Sequence, residues 1–130
     1  MQMHKEAILT PNAPQPIGPY SQAIQAGPWL FCSGQIALDP KSGQVVAPTD
    51  VEGQTKQVML NIKGVLDQAG VGFDNVVKTT IFLKSMGDFP KVNEVYGGYF
   101  KKTPPARSTV EVSRLPKDVL VEVEVIALKN

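Results

Sequence analysis

The sequence predicts one α+β domain spanning residues 1–130, in which two helices cover one face of a sheet. Runs with the period-two alternation of strands stand on both sides of segments with the 3.6-residue spacing of amphipathic helices. The order is strand, strand, helix, strand, helix, strand, strand, which is typical of a two-layer domain. With 130 residues, 42% of them hydrophobic, the chain is long enough for one modest core.

The first part of the chain predicts an irregular arm followed by two strands. The arm, residues 7–16, contains three prolines, and the first strand ends at a turn that begins with Gly27. The second strand covers residues 29–36, in which Gly34 indicates a bulge or the close approach of another group. Cys32 falls among apolar neighbours in this strand and is expected to be a buried core thiol.

Both helices carry recognisable start signals. The first begins after Pro48, with Thr49 as the expected N-cap and Glu52 completing a capping box. Gly70 is the residue expected to end it. The second begins with Asp88 as its N-cap and has a proline in its first turn. Each helix has an apolar stripe, so we expect both to pack on the same face of the sheet.

Alternation also predicts three further strands, at residues 76–83, 106–112 and 119–127. The last two flank a turn-like segment, so we expect a hairpin in which the valines of both strands share one face. Arg107 then lies on the other face, within cross-strand reach of Glu122 and Glu124. A structural ion pair is the alternative interpretation of this cluster.

The face expected to carry the charged cluster is also apolar. It holds Leu120, Ile126 and Leu128 beside Arg107 and Glu122. Two helices can cover only one face of a sheet, and an uncovered apolar face indicates another protein surface. We therefore expect a homo-oligomer with the charged cluster at or beside a subunit interface.

Composition argues against several classes of function. The formal net charge of +1 disfavours a large surface for nucleic acid or anionic lipid. A single cysteine, with no secretory or membrane-spanning apolar run, favours a cytoplasmic location. His4 is the only histidine, so neither a zinc site nor a histidine-activated nucleophile is expected. Acid–base chemistry then falls mainly to carboxylates, water, tyrosine or lysine.

Several short motifs occur in order along the chain: Gly-Pro-Tyr-Ser-Gln-Ala at residues 18–23, Ser-Gly-Gln-Ile at 33–36, Pro-Ala-Arg-Ser at 105–108, Leu-Pro at 115–116 and Val-Glu-Val at 121–123. With these motifs the chain resembles the RidA (YjgF-type) family of reactive-intermediate deaminases, also called 2-iminobutanoate/2-iminopropanoate deaminases. The resemblance spans nearly the whole chain, and the last three motifs are its most specific part.

The resemblance implies a chorismate-mutase-like α+β fold with a mixed sheet. It implies a homotrimer with three clefts between its subunits. The implied reaction is hydrolysis of 2-enamino or 2-imino acids, such as 2-aminoacrylate and 2-iminobutanoate, to 2-oxo acids and ammonia, without a metal or an organic cofactor. Such imines arise from pyridoxal-phosphate enzymes such as serine and threonine dehydratases, so a functional link to those enzymes is implied.

The resemblance also implies roles for individual residues. Arg107 corresponds to the arginine that binds the substrate carboxylate, and Glu122 to the glutamate that holds or activates the water. Burial should raise the pKa of Glu122, whereas Arg107 should lower it. The remaining pocket positions match Tyr20, Ser33, Gly34, Asn93, Ser108 and Thr109.

Some assignments stay open at the level of sequence. Many members have cysteine where this chain has Thr109, and we interpret this position as a supplier of backbone hydrogen bonds. Tyr20 is equally a core aromatic, Asn93 an exposed helix residue, and Glu124 a rival of Glu122. Two other functions are also open: a non-catalytic module that binds 2-oxo acids, and a ribonuclease or translation inhibitor, which the near-neutral charge disfavours.

Overall fold

The computed structural model describes residues 4–130, which form six strands and two helices. Their bounds are β1 Lys5–Ile8, β2 Ala23–Ala26, β3 Trp29–Gln35, α1 Val51–Ala69, β4 Val76–Leu83, α2 Phe89–Gly97, β5 Ala106–Glu111 and β6 Val121–Leu128. The α+β class, with two helices against a mixed sheet, is confirmed. In this part of the chain no helix is both long and apolar enough to cross a membrane.

The six strands form one sheet in the order β1-β2-β3-β6-β4-β5. All neighbours are antiparallel except β4 and β5, which are parallel. The helices α1 and α2 pack on each other, and α1 lies against β3 and β6. We call the side covered by these helices the helix face and the opposite side the open face.

The most apolar strand, β6, lies in the middle of the sheet. Its alternating residues Val121, Val123, Val125 and Ala127 are all at most 2% exposed and belong to the core on the helix face. The residues between them therefore point to the open face. This burial confirms the predicted valine row of β6. It contributes roughly 1.5–3 kcal/mol per valine to folding.

The expected hairpin between β5 and β6 is wrong, because β4 lies between these two strands. Arg107 pairs with the buried Thr79 of β4, whereas Glu122 pairs with Phe82. Residues paired across a sheet share a face, and neighbours along a strand alternate. Arg107 is therefore on the helix face and Glu122 on the open face. Val110, which pairs with Phe82, also points away from the valine row.

The helix boundaries differ from the sequence-based prediction by one residue at the first N-terminus. Asp50, not Thr49, is the N-cap of α1: its side chain accepts a hydrogen bond from Glu52 N at 3.1 Å. Gly70 ends the helix with a left-handed φ of 78°, as predicted. α2 has the predicted proline in its first turn, but Asp88 makes no side-chain capping bond.

The strand β1 was not predicted, because its four residues are mostly exposed and lack an apolar row. The arm that follows it packs against α1 at Gly64. A Cβ atom built on Gly64 would overlap with the backbone carbonyl of Asn12. Glycine at this position therefore permits the close approach of the arm to the helix.

Cys32 is buried in the core, as its neighbours in the sequence indicated. Burial raises the pKa of its thiol to about 12. The thiolate is the reactive form of cysteine, so this group is chemically inert at neutral pH. Cys32 is a packing residue in this fold.

The contact between the arm and α1 gives a test of the packing. Gly64→Ala should lower the free energy of unfolding by about 1–3 kcal/mol, because the added methyl group meets backbone atoms that have little room to move. Gly97→Ala in α2 is the matched control, since a Cβ there meets nothing within 4 Å. That variant should be up to about 1 kcal/mol more stable than the parent. Urea unfolding measures both, and a Gly64→Ala variant as stable as the parent would contradict the described contact.

Candidate active site

A cavity of about 540 Å³ opens beside the middle of the sheet. Its lining includes Tyr20, Ser33, Gly34 and Glu122, four of the positions that the sequence motifs single out. Its apolar wall consists of residues that sequence reasoning did not propose: Pro14, Ile17, Ile36, Leu38 and Pro116. A concave site with few polar groups on an apolar wall is the usual form of a small-molecule site.

A bulge in β3 brings the strand close to Glu122. The pairing of β3 with β6 shifts register between Cys32 and Gln35, which confirms the bulge that Gly34 indicated. A Cβ atom on Gly34 would overlap with Oε2 of Glu122. Glycine is therefore needed here for the carboxyl group to keep its place in the cavity.

Ser33 joins β3 to the segment that carries Tyr20. Its Oγ donates a hydrogen bond to the carbonyl of Ser21 at 2.6 Å, and its N–H donates to the carbonyl of Gln22 at 2.9 Å. Tyr20 itself is 54% exposed, so it is not a core aromatic. It lies at the cavity as a residue with a free apolar surface and a phenol group.

Gln22 builds the wall of the cavity, a role that the sequence did not reveal. It is fully buried. Its Oε1 accepts a hydrogen bond from Thr10 N at 2.7 Å, and its Nε2 donates to the carbonyls of Thr10 at 3.1 Å and Pro14 at 2.9 Å. A buried amide that satisfies backbone groups in this way fixes the arm next to Glu122.

The pKa of Glu122 is raised above the ordinary range of a glutamate. Its burial in the cavity is the main cause, and the negative charge of Glu124 adds to it. The expected lowering by Arg107 is absent within the chain, because Arg107 is on the other face of the sheet. A glutamate with a raised pKa suits proton transfer near neutral pH.

Arg107 forms a second, separate cluster with α2. Its guanidinium carbon lies 5.2 Å from the ring centre of Phe89 and 5.1 Å from that of Tyr96. Its Nη1 donates a hydrogen bond to Oδ1 of Asn93 at 2.7 Å. The structure therefore brings Arg107 and Asn93 together, at a second cavity of about 400 Å³. The two rings and the amide hold the guanidinium in one orientation and leave other N–H groups available.

Arg107 and Glu122 are too far apart to hold one small ligand within a single chain. Their strands are separated by β4, which places the backbones about 10 Å apart across the sheet. Their partners on β4, Thr79 and Phe82, are three residues apart, which adds about 10 Å along the strand. Because the two side chains also point to opposite faces, the predicted guanidinium–carboxylate cluster does not form in the chain by itself.

The other two predicted pocket residues of β5, Ser108 and Thr109, lie on opposite faces of the sheet. Ser108 is on the open face, where its Oγ accepts a hydrogen bond from Nζ of Lys78 at 3.1 Å. Thr109 is on the helix face, and its Oγ1 is shielded from solvent without a hydrogen-bond partner among residues 4–130. Glu111 accepts a hydrogen bond from Met86 N at 2.8 Å, in keeping with a structural role.

The raised pKa of Glu122 predicts how stability depends on pH. A raised pKa means that the folded protein keeps this proton to higher pH than the unfolded chain does. Stability is therefore lost as pH rises from the ordinary glutamate pKa of about 4.3 through the folded-state pKa. Glu122→Gln cannot ionise, so its stability relative to the parent should increase between about pH 4 and about pH 8. Urea unfolding at both pH values measures this difference.

Glu124→Gln serves as the control for this experiment. It removes the repelling charge and leaves Glu122 in place, so its stability should change in the same direction but by less. A stability difference between Glu122→Gln and the parent that is equal at both pH values would show that this carboxyl group titrates normally.

Comparisons with known proteins agree with the motifs. The profile of the family described as Endoribonuclease L-PSP matches residues 10–129. A protein of Pyrococcus horikoshii, named only as the RutC family protein PH0854, is 58% identical over 97% of this chain and 99% of its own length. The 2-iminobutanoate/2-iminopropanoate deaminase of Escherichia coli is 46% identical over 96% of this chain and 98% of its own length.

A solved structure shares both the fold and the sequence pattern. It is the Yersinia pestis protein YyfA, described as a protein of unknown function of the conserved Rid family. Its TM-score is 0.93 and its identity 54%, over 96% of this chain and 99% of that one. The chain therefore belongs to the Endoribonuclease L-PSP family, the Rid proteins that include the imine deaminase of Escherichia coli.

Proposed function

We propose that this protein hydrolyses 2-enamino and 2-imino acids to 2-oxo acids and ammonia, at sites formed between the subunits of a homotrimer. The 46% identical deaminase supports the reaction class. The single observation that carries the location is the separation of Arg107 from Glu122 on opposite faces of one sheet. A carboxylate-binding cation and a water-activating carboxyl can act on one small substrate only if they come from two chains.

The open face has the surface that such an assembly needs. Trp29, Phe31 and Val110 are between 41% and 46% exposed there. Among residues 4–130, both helices lie on the other face. Trp29 and Phe31 are neighbours on this face of β3, and adjacent exposed aromatic side chains indicate a protein contact. A second copy seated on them also covers the cavity of Glu122. In this proposal Arg107, on the edge strand β5, reaches the cavity of a neighbouring copy.

Arg107 is the group that binds the substrate carboxylate in this proposal. A guanidinium offers a planar pair of N–H donors that matches a carboxylate. Stacking on Phe89 and Tyr96 and the bond to Asn93 fix its orientation before the ligand arrives. This preorganisation lowers the entropy cost of binding. Asn93 is then a positioning residue that acts through Arg107.

Glu122 is the group that handles the water. Its carboxylate takes a proton from water as the water oxygen bonds to the imine carbon, and the resulting carboxyl group gives this proton to the imine nitrogen. In the carbinolamine the hydroxyl proton then passes through the same carboxylate to the amino group as the C–N bond breaks, which yields ammonia and the 2-oxo acid. A half-buried carboxyl with a raised pKa suits both directions of this proton transfer.

The remaining residues shape the site around these two groups. Gly34 leaves room for the Glu122 carboxyl, Ser33 holds the segment that carries Tyr20, and Tyr20 provides an apolar wall with a hydroxyl. We assign Ser108 and Thr109 to backbone contacts with the ligand. This scheme needs no thiol, metal or organic cofactor, and it suits a cytoplasmic protein that acts after pyridoxal-phosphate dehydratases.

Two other functions are separated from this proposal by simple measurements. A binding module without catalysis would take up 2-oxobutanoate but would not accelerate 2-oxo acid release from a threonine dehydratase reaction. The family profile is named for an endoribonuclease, but the net charge of +1 gives little support for RNA binding. Cleavage of labelled RNA by purified protein, lost in Glu122→Gln, would favour that activity.

Single substitutions should separate the roles of the two charged groups. Arg107→Ala should weaken 2-oxobutanoate binding and imine turnover together, because both need the carboxylate contact. Glu122→Gln should lower turnover by on the order of 10²–10⁴ and leave 2-oxobutanoate binding largely intact. Calorimetric titration and a coupled dehydratase assay measure these effects. Normal turnover by Glu122→Gln with loss in Glu124→Gln would assign the water to Glu124 instead.

Mixing the two variants tests whether the site is shared. When Arg107→Ala and Glu122→Gln chains are refolded together at equal amounts, random assembly should restore about a quarter of the wild-type sites. Each restored site takes its arginine from one variant and its glutamate from the other. Native mass spectrometry confirms the mixed trimers. If they form and no activity returns, the arginine and glutamate do not act together across an interface.

A further inference from the structure

The turn between β5 and β6 has an uncommon backbone conformation. Lys117 has φ 56° and ψ 22°, and Asp118 has φ 54°. Side chains other than glycine rarely adopt this left-handed region because Cβ crowds the carbonyl oxygen. Elsewhere among residues 4–130, positive φ values occur at four glycines and at Ala47. A glycine at position 117 would be free of this strain.

The turn is held in place by residues other than Lys117. The side chains of Leu115 and Val119 are buried at its two ends. Asp118 N donates to the carbonyl of Leu115 at 3.1 Å, and the Asp118 carboxylate pairs with Arg114 at 2.9 Å. Asp118 thus has a backbone hydrogen bond and an ion pair that stabilise its left-handed conformation. Lys117 makes no side-chain hydrogen bond or ion pair within the described residues.

Lys117 lies at the cavity of Glu122. Of the residues that line this cavity, Lys117 is the one with a positive charge and Glu122 the one with a carboxyl group. Lys117 and Glu122 form no ion pair with each other in the described part of the chain. Backbone strain at the rim of a cavity, in a residue with no structural partner, points to a functional use of the side chain.

The chemistry of the cavity explains what that use is. An anionic 2-imino or 2-oxo acid that enters is repelled by Glu122 when the latter is ionised. The ammonium group of Lys117 at the rim offsets this repulsion and attracts the ligand's carboxylate on approach. We infer that Lys117 is a substrate-recruiting residue, which captures the anionic acid before Arg107 of a second copy fixes it. This inference rests on the proposed function and adds a second cation to that site.

Lys117→Gly separates a binding role from a structural one. Glycine removes the charge and accepts the left-handed backbone, so the midpoint of thermal unfolding should equal or exceed that of the parent. The value of kcat/KM for the imine and the affinity for 2-oxobutanoate should each fall about two- to five-fold, with kcat unchanged. The affinity should also lose much of its salt dependence. Lys117→Arg should retain the parent values.

Two controls make the result specific. Lys41→Gln removes a lysine charge from a turn that does not line the cavity, and its kinetics should match the parent's. The neutral amide 2-oxobutanamide should bind the parent and Lys117→Gly equally, because it lacks the carboxylate. Unchanged affinity for 2-oxobutanoate in Lys117→Gly overturns the inference, and so does a fall in kcat with constant KM.

Different results would contradict the proposed deaminase function. If the parent binds 2-oxobutanoate but turns over no imine, the deaminase proposal fails, and the affinity comparison still decides the role of Lys117. If the parent binds no 2-oxo acid at all, both the site and the recruiting role of Lys117 are wrong.

Discussion

The alternation of side chains along β6 is the constraint on which the rest of the structure depends. This strand lies between β3 and β4. One row of its side chains points into the core under the helices, and the other row lies on the open face. A slip of one residue would bury Glu122 against α1 and expose the valines, at a cost of several kcal/mol. The burial that stabilises the sheet therefore also determines where the carboxyl group of the site lies, and Gly34 accommodates it from the next strand.

The sequence predicted most elements correctly but mispaired two of them. Long periodic segments such as α1, β4 and β6 were recognisable because a continuous apolar row specifies them. The β5–β6 hairpin was assumed from adjacency along the chain. β5 is in fact an edge strand, with five of its six residues exposed. Its Arg, Ser and Glu content and the two preceding prolines are typical of an edge position and were the available signal.

The wrong pairing of β5 with β6 also made the predicted contact between Arg107 and Glu122 wrong. Pairing through β4 aligns Arg107 with Thr79 and so with Val125 of β6, instead of with Glu124. Because paired residues share a face, Arg107 lies on the side of the valines. Of the residues that the motifs singled out, Arg107 and Asn93 are in contact. Sequence alone did not show that the arginine and the glutamate belong to separate cavities, since this depends on long-range strand order and not on spacing within a motif.

Buried amide side chains were the features that sequence reasoning could not find. Gln22 holds the arm, Asn61 donates to the carbonyls of Ile36 and Leu38 at 3.1 and 3.0 Å, and Gln54 accepts from Leu120 N at 2.9 Å. Glutamine and asparagine are usually exposed, so no pattern marks the few that are buried. Each satisfies backbone groups of a loop near the cavity, which replaces the regular hydrogen bonding that a loop lacks.

In the proposed assembly, one subunit contact acts on Glu122 in two opposing ways. Covering the open face removes water from the carboxyl group and raises its pKa further, as burial already does in the single chain. The same contact brings the guanidinium of Arg107, which lowers that pKa and binds the substrate carboxylate. Within one chain Arg107 and Glu122 do not meet, because they lie on opposite faces of the sheet. In this proposal, the separation of the two groups leaves a single subunit without a complete site until a neighbour supplies the missing group, and it couples the ionisation of the glutamate to assembly.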